Sequence, residues 1–118
     1  MGKKKLLEGK TKKLYETDQE NELILEFKND FPIGKKDQKL NVREKGAINN
    51  QISTFLFKFI ESYHIPNHFL REISKREMMV KWLNMIPLKM MARNIAAGSL
   101  VKMYGLEKGK ELDCPVIE

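Results

Sequence analysis

Only four residues, Asp18-Gln19-Glu20-Asn21, separate two stretches that read as strands. A link that short cannot carry a parallel crossover, so the two stretches must pair antiparallel. The second is residues 22 to 28, where Leu23, Leu25 and Phe27 fall on one side and Glu22, Glu26 and Lys28 on the other. Ile24 is the single apolar residue on the polar side, and the pattern is that of a half-buried strand. The Asp and Asn of the link suit a turn. Before it, residues 6 to 17 read as two short strands, or one bent strand, around Gly9.

The remaining chain adds one long helix to this sheet. Residues 29 to 43 hold Asn29-Asp30, Pro32, Gly34 and few apolar side chains, and read as a loop. Residues 44 to 63 place Ile48, Ile52, Phe55, Leu56, Phe59, Ile60 and Tyr63 at helical spacing. Phe57 lies off that stripe, available to a second element, and Pro66 prevents the helix from running further. Residues 67 to 73 read as another strand. Residues 77 to 86, with a nearly continuous apolar run from Met78 to Ile86, predict a strand covered on both faces, broken by Pro87 and followed by a return strand over 88–95. Ala97-Gly98-Ser99 opens a short helix through Met103, with Gly105 a fitting stop, and residues 106 to 118 read as turn and extended chain. The fold class is α+β: mainly an antiparallel sheet with one long helix.

With 118 residues and 42% hydrophobic side chains, the chain can build one domain with a modest core. No run approaches the roughly 20 apolar residues of a membrane span. Only Leu6-Leu7 follows the charged start Met1-Gly2-Lys3-Lys4-Lys5, too little for a signal peptide, and Leu6 breaks the myristoylation pattern. Cys114 stands alone, so neither an intrachain disulfide nor a cysteine metal cluster is expected. A cytoplasmic protein is the simplest reading. The formal net charge of +6 favours an anionic partner, whether nucleotide, phosphate ester or nucleic acid; it equally describes a solvated, lysine-rich surface.

Three stretches could carry chemistry. In Gly9-Lys10-Thr11-Lys12, a glycine lets backbone approach a polyphosphate, and Lys10 and Lys12, two apart on an extended strand, point the same way. The spacing is not that of a Walker A loop, and a glycine bend with solvated lysines has the same sequence. Lys81 shares a strand face with Met79, Leu83 and Met85, an apolar slot with one cation that suits an adenine ring near its phosphates. A lysine whose stem packs while its head reaches water reads the same. In Arg93-Asn94-Ile95-Ala96-Ala97-Gly98-Ser99-Leu100, small residues and a serine at a helix start offer an anion site that Arg93 would complete with a planar fork; a plain serine N-cap is the alternative. His64 and His68 are four apart, but Pro66 lies between them, and both read as loop residues rather than metal ligands. The metal-site expectation for this chain is therefore none.

Several of these stretches together resemble one family, SAICAR synthetase (phosphoribosylaminoimidazole-succinocarboxamide synthase). Leu7-Glu8-Gly9-Lys10-Thr11-Lys12-Lys13-Leu14-Tyr15 is similar to its opening Gly-Lys-x-Lys-x-x-Tyr strand. Lys45-Gly46-Ala47-Ile48-Asn49-Asn50 resembles its Lys-Gly-x-x-Asn-Asn helix start, and Ile65-Pro66-Asn67-His68 its Ile-Pro-Thr-Gln/His segment. Ile86 to Leu100 resembles the family signature, and the matches keep order and spacing from residue 6 to residue 112.

The resemblance implies a glycine-strand ATP-binding lobe related to ATP-grasp enzymes, with the chain as its N-terminal nucleotide-binding half and the C-terminal half absent. It implies an ATP-dependent ligase of purine biosynthesis that joins aspartate to carboxyaminoimidazole ribonucleotide, giving SAICAR, ADP and phosphate. The partners would be these small molecules, with neither nucleic acid nor membrane, in a protein that is a homo-oligomer when intact. Lys10 and Lys12 would hold ATP phosphates, Lys81 to Met85 would border the adenine, and Arg93 and Ser99 would hold the ribonucleotide 5′-phosphate. Magnesium would be bound by acidic residues of the missing half, so this chain alone would be inactive; the catalytic residues are unassigned. Two features depart from the family: Lys89 stands where Glu is usual, and Phe31-Pro32-Ile33-Gly34-Lys35-Lys36 lacks the usual loop pattern unless a gap brings Asp37 into register. Two rival readings are a nucleotide-binding remnant without catalysis and a small basic nucleic-acid module. The second would need exposed aromatics between its basic residues.

Overall fold

The computed structural model describes residues 3–34 and 38–118. Its chain divides into two units, Met1–Asn84 and Met85–Glu118. In the first, β1 (Lys5–Glu8) turns through Gly9 into β2 (Lys12–Glu16), and the short polar link leads to β3 (Glu22–Phe27). The bend at Gly9 thus divides two strands, and the pairing is antiparallel, with Leu14 opposite Leu25 and Lys12 opposite Phe27. β4 (Asp30–Pro32), β5 (Lys39–Asn41), α1 (Lys45–Ser62), β6 (Phe69–Glu72) and β7 (Glu77–Lys81) complete the unit. One five-stranded antiparallel sheet runs in the order β1-β2-β3-β7-β6. Leu23, Phe27, Phe69, Met78 and Val80 form its core, with Leu14, Leu25 and Phe57 packed against them.

Four expectations need correction here and in the second unit. The segment 29–43 is not all loop, because β4 and β5 pair as a small hairpin, Asp30 opposite Asn41. Backbone bonding holds it while Phe31 and Leu40 stay exposed, so no hydrophobic pattern announces it. Lys35, Lys36 and Asp37 lie outside the described residues. The apolar run does not continue as a doubly covered strand to Ile86: β7 ends at Lys81, and Trp82, Leu83, Met85 and Ile86 are exposed.

The helix forms where its period predicts, but the stripe that predicts it points away from the sheet. Gly46, Ala47, Asn50 and Thr54 are the buried residues of α1, whereas Ile48 and Ile52 are each 52% exposed and Phe55 67%. Close approach explains the choice. A Cβ on Gly46 would lie 2.5 Å from the Phe27 carbonyl oxygen, so only glycine lets the helix start press on β3. The Gly46 N–H donates to Asn29 Oδ1 at 2.8 Å. Asn50, fully buried, donates from Nδ2 to the carbonyl oxygens of Ser74 and Lys75 at 3.0 and 3.1 Å. Phe57, off the stripe, does reach the sheet and stacks on Phe69 with ring centroids 5.9 Å apart. His64, at φ 60°, turns the chain after the helix before Pro66 is reached.

The second unit holds β8 (Ala92–Ile95), α2 (Ser99–Tyr104) and β9 (Glu111–Ile117). The expected return strand over 88–95 is only its last four residues, and its partner is β9, with Arg93 opposite Val116. Residues 85–91 form no strand, and Met85, Ile86, Leu88 and Met90 are exposed. Ala96 and Leu100 are the buried apolar residues of this unit. Gly98 (φ 55°) precedes α2 and Gly105 (φ 62°) ends it, both in conformations that favour glycine.

Candidate functional site

Gly9 closes the turn between β1 and β2: its N–H donates to the Lys12 carbonyl oxygen at 2.8 Å. The fold does not itself demand glycine there, since an added Cβ would meet nothing nearer than that oxygen at 3.8 Å. A bare backbone at this point leaves room for another molecule's atoms, unlike Gly46, whose space the protein itself fills. Lys10 lies in the turn before β2, so strand parity does not align it with Lys12 as the sequence spacing suggests. Neither lysine has a carboxylate within ion-pair distance among the described residues. Lys12 carries its Nζ 5.6 Å from the centre of the Phe27 ring. His68 is half-buried; burial first, then the charge of Lys12, pulls its pKa below the ordinary value. Phe57 meets the His68 ring edge-on at 5.0 Å. The Lys12 ammonium beside the Phe27 ring, with Lys10 in the turn just before it, forms a positively charged surface that attracts phosphate electrostatically.

Lys81 is not brought beside these lysines. It closes β7 opposite Glu22, whereas Lys12 opens β2 opposite Phe27, so the two backbone positions stand at opposite ends of the sheet. Five residue steps along β3 take the chain from Glu22 to Phe27, a rise of about 16 Å. Lys81 is also one residue out of phase with Val80, whose face carries Leu23 and Phe27. The slot expected from Met79, Leu83 and Met85 does not form on one strand, because Leu83 and Met85 lie beyond its end. The Lys81 N–H instead donates to the His68 carbonyl oxygen at 2.7 Å. Met85 belongs to the second unit and is 76% exposed.

Arg93 and Ser99 are brought together, as the sequence suggests, with a third residue that sequence reading misses. Arg93 Nε donates to Glu118 Oε1 at 2.7 Å, Ser99 Oγ reaches the same oxygen at 3.2 Å, and Arg93 Nη2 lies 3.4 Å from Ser99 Oγ. Ser99 is not the N-cap: Gly98 holds that position, and the serine hydroxyl turns to the arginine and the carboxylate. The Arg93 hydrogen bond holds the Glu118 carboxyl below the ordinary value of 4.5. Guanidinium and hydroxyl thus already converge on one oxyanion. Only the β8–β9 pairing joins positions 93 and 118, and no local pattern marks Glu118.

Among the described residues no group of three or more His, Cys, Asp or Glu could hold a metal ion. Glu8, just before the glycine turn, and Asp30 are both engaged by Lys28. The described residues therefore do not group into a magnesium site. No helix among them is long and apolar enough to cross a membrane.

A family model described as SAICAR synthetase matches residues 5–118. A phosphoribosylaminoimidazole-succinocarboxamide synthase of Thermoanaerobacter sp. (strain X514) is 43% identical over all of this chain and 51% of its own length. The crystal structure of the synthase from Ehrlichia chaffeensis superposes with a TM-score of 0.87 at 33% identity, covering 97% of this chain and 48% of that one. A SAICAR synthetase in complex with ADP superposes at 0.85 and 37% identity, over 94% of this chain and 47% of that one. The chain thus spans about half the length of the relatives it matches.

Proposed function

The chain belongs to the SAICAR synthetase family, and from that membership we propose that the whole protein is an ATP-dependent ligase of purine biosynthesis, acting in the cytoplasm. It joins the aspartate amine to the carboxylate of carboxyaminoimidazole ribonucleotide. The carboxylate oxygen takes the terminal phosphoryl group of ATP, releasing ADP. The amine then attacks the acyl carbon, phosphate leaves, and the new C–N bond gives SAICAR. Lys10 and Lys12 hold the phosphates of ATP, the chain from Lys81 to Met85 borders its base, and Arg93 and Ser99 hold the ribonucleotide 5′-phosphate. The placement of Lys12 and Lys81 at opposite ends of the sheet suits a molecule whose phosphates and base lie at opposite ends.

The observation that carries this reading is the convergence of Arg93 and Ser99 on one carboxylate oxygen in a chain of this family. A guanidinium and a hydroxyl that already bind an oxyanion suit a terminal phosphate. Magnesium, when bound, would neutralise charge on the transferring phosphoryl group, and its ligands come from outside this chain. The 118-residue chain alone is consequently inactive. Incubation with ATP, aspartate and the ribonucleotide should yield succinocarboxamide with the full-length protein and none with the 118-residue chain. No product from the full-length protein overturns the ligase reading; equal rates from both overturn the dependence on the second half.

A further inference from the structure

Lys28 is the one buried charged side chain among the described residues, only 6% exposed. A buried ammonium is costly unless each of its donors is met. Here Lys28 Nζ donates to Glu8 Oε1 at 2.8 Å and to the Gly9 carbonyl oxygen at 3.3 Å, and lies 3.1 Å from Asp30 Oδ2. An ammonium has three N–H donors and no acceptor, so these three partners use it fully. Lys28 therefore has nothing left to offer a ligand directly.

Its partners instead outline the glycine turn. The ammonium grips Glu8 and Gly9 on one side of the turn, while the Lys28 backbone N–H donates to the Thr11 carbonyl oxygen at 2.8 Å on the other. Packing cannot do this work. All four residues of β1 are exposed, and β1 is an edge strand, so no apolar anchor fixes the turn from that side. Asp30 ties the same ammonium to the start of β4.

We propose that Lys28 is a positioning residue: it clamps the Gly9–Lys12 turn from behind and so presents Lys10 and Lys12 to the phosphates of a nucleotide. This rests on the reading of that turn as a phosphate site. A loose turn would have to be ordered when the nucleotide binds, and that ordering weakens affinity. A pre-clamped turn avoids it.

The test uses the full-length protein, with Lys28→Met, Lys28→Arg and Lys12→Ala, read by amide hydrogen exchange and by calorimetric titration with ADP. In Lys28→Met the Gly9 amide, bonded to Lys12, should exchange at least roughly tenfold faster, and the Kd for ADP should rise about tenfold. Ribonucleotide binding should move less than about twofold, and Lys28→Arg, which keeps the charge, should recover most of both losses. Unchanged Gly9 exchange in a folded Lys28→Met protein overturns the clamp. Faster exchange with unchanged ADP affinity, while Lys12→Ala still weakens ADP, overturns the positioning role. If Lys12→Ala also leaves ADP unaffected, the phosphate reading of the turn is what fails. Should Lys28→Met not fold, Glu8→Ala on the exposed edge strand removes one of the three partners, and the same acceleration at Gly9 is expected in smaller measure; its absence overturns the clamp.

Discussion

The two units of this chain carry positive charge toward anions in opposite ways. In Met1–Asn84, which has a sheet core of Leu23, Phe27, Phe69, Met78 and Val80, the lysines of the glycine turn have no carboxylate partner among the described residues, and the buried ammonium of Lys28 bonds to Glu8 and Gly9 behind them. In Met85–Glu118 the buried apolar residues are Ala96 and Leu100, and the one arginine is already closed on Glu118. The first arrangement keeps charge free and places rigidity behind it. The second puts rigidity in the ion pair itself, so an incoming phosphate must share or displace a carboxylate. A separate buried ion pair can hold a site that keeps its own charges open. Where burial is scarce, the charges of the site itself hold one another.

The largest effect that tests this contrast is on stability. Met78 is fully buried, and Met78→Ala should cost about 2–5 kcal/mol from lost contacts and the cavity left behind. Met90, 73% exposed, should lose no more than about 0.5 kcal/mol on the same change. Chemical denaturation of the 118-residue chain measures both. Comparable losses would mean that Met90 is buried in solution and that the contrast between the units is false.

A smaller effect separates the two proposed anion sites. Lys12→Ala in the full-length protein should weaken ATP about ten- to a hundredfold, since a charge-assisted contact contributes about 1.5–3 kcal/mol, and leave the ribonucleotide nearly unchanged. Arg93→Lys should do the converse. It keeps the charge but loses the planar fork, and the KM for the ribonucleotide should rise about tenfold while that for ATP holds. Steady-state kinetics with each substrate varied decides the matter. If both variants affect both substrates equally, the two sites are one.

What the sequence reveals of all this follows from which forces leave a periodic trace. The sheet is legible because Leu23, Leu25 and Phe27 alternate with charges and a four-residue link forbids a crossover. The helix is legible by its period, yet its packed face is not. Gly46, Asn50 and Thr54 make that contact through close approach and through hydrogen bonds to the 74–77 turn, and hydropathy registers neither. The apolar run past Lys81 misleads for the opposite reason: it is strongly hydrophobic but lies on the surface of this chain. Arg93 and Ser99 stand out as motif residues, whereas Glu118 is joined to them only by strand register. Lys28 reads as one more solvent-facing charge of an alternating strand, and only the folded turn shows that its ammonium is enclosed.

The smallest expected effect concerns acid, and it compares the carboxylate that holds each site. Hydrogen bonds from Lys28, then from Lys5, pull the Glu8 carboxyl from its ordinary 4.5 to about 2. Glu118 is lowered too, by Arg93 and then by Ser99. Both are depressed carboxylates, so each contributes stability that is fully present above about pH 4.5 and is lost as pH falls through the folded-state value. Lys28, whose pKa is raised first by its hydrogen bond to Glu8, keeps its charge throughout this range and cannot be the group that titrates. The Glu8 tether should therefore persist toward pH 2. Carbon-detected NMR titration of the two side-chain carboxyls measures this, and Lys28→Met should return the Glu8 midpoint toward 4.5 while leaving that of Glu118 in place. A Glu8 midpoint near 4.5 in the unaltered chain would show that the ammonium does not hold it, and the glycine turn would then be no more rigidly supported than the arginine site.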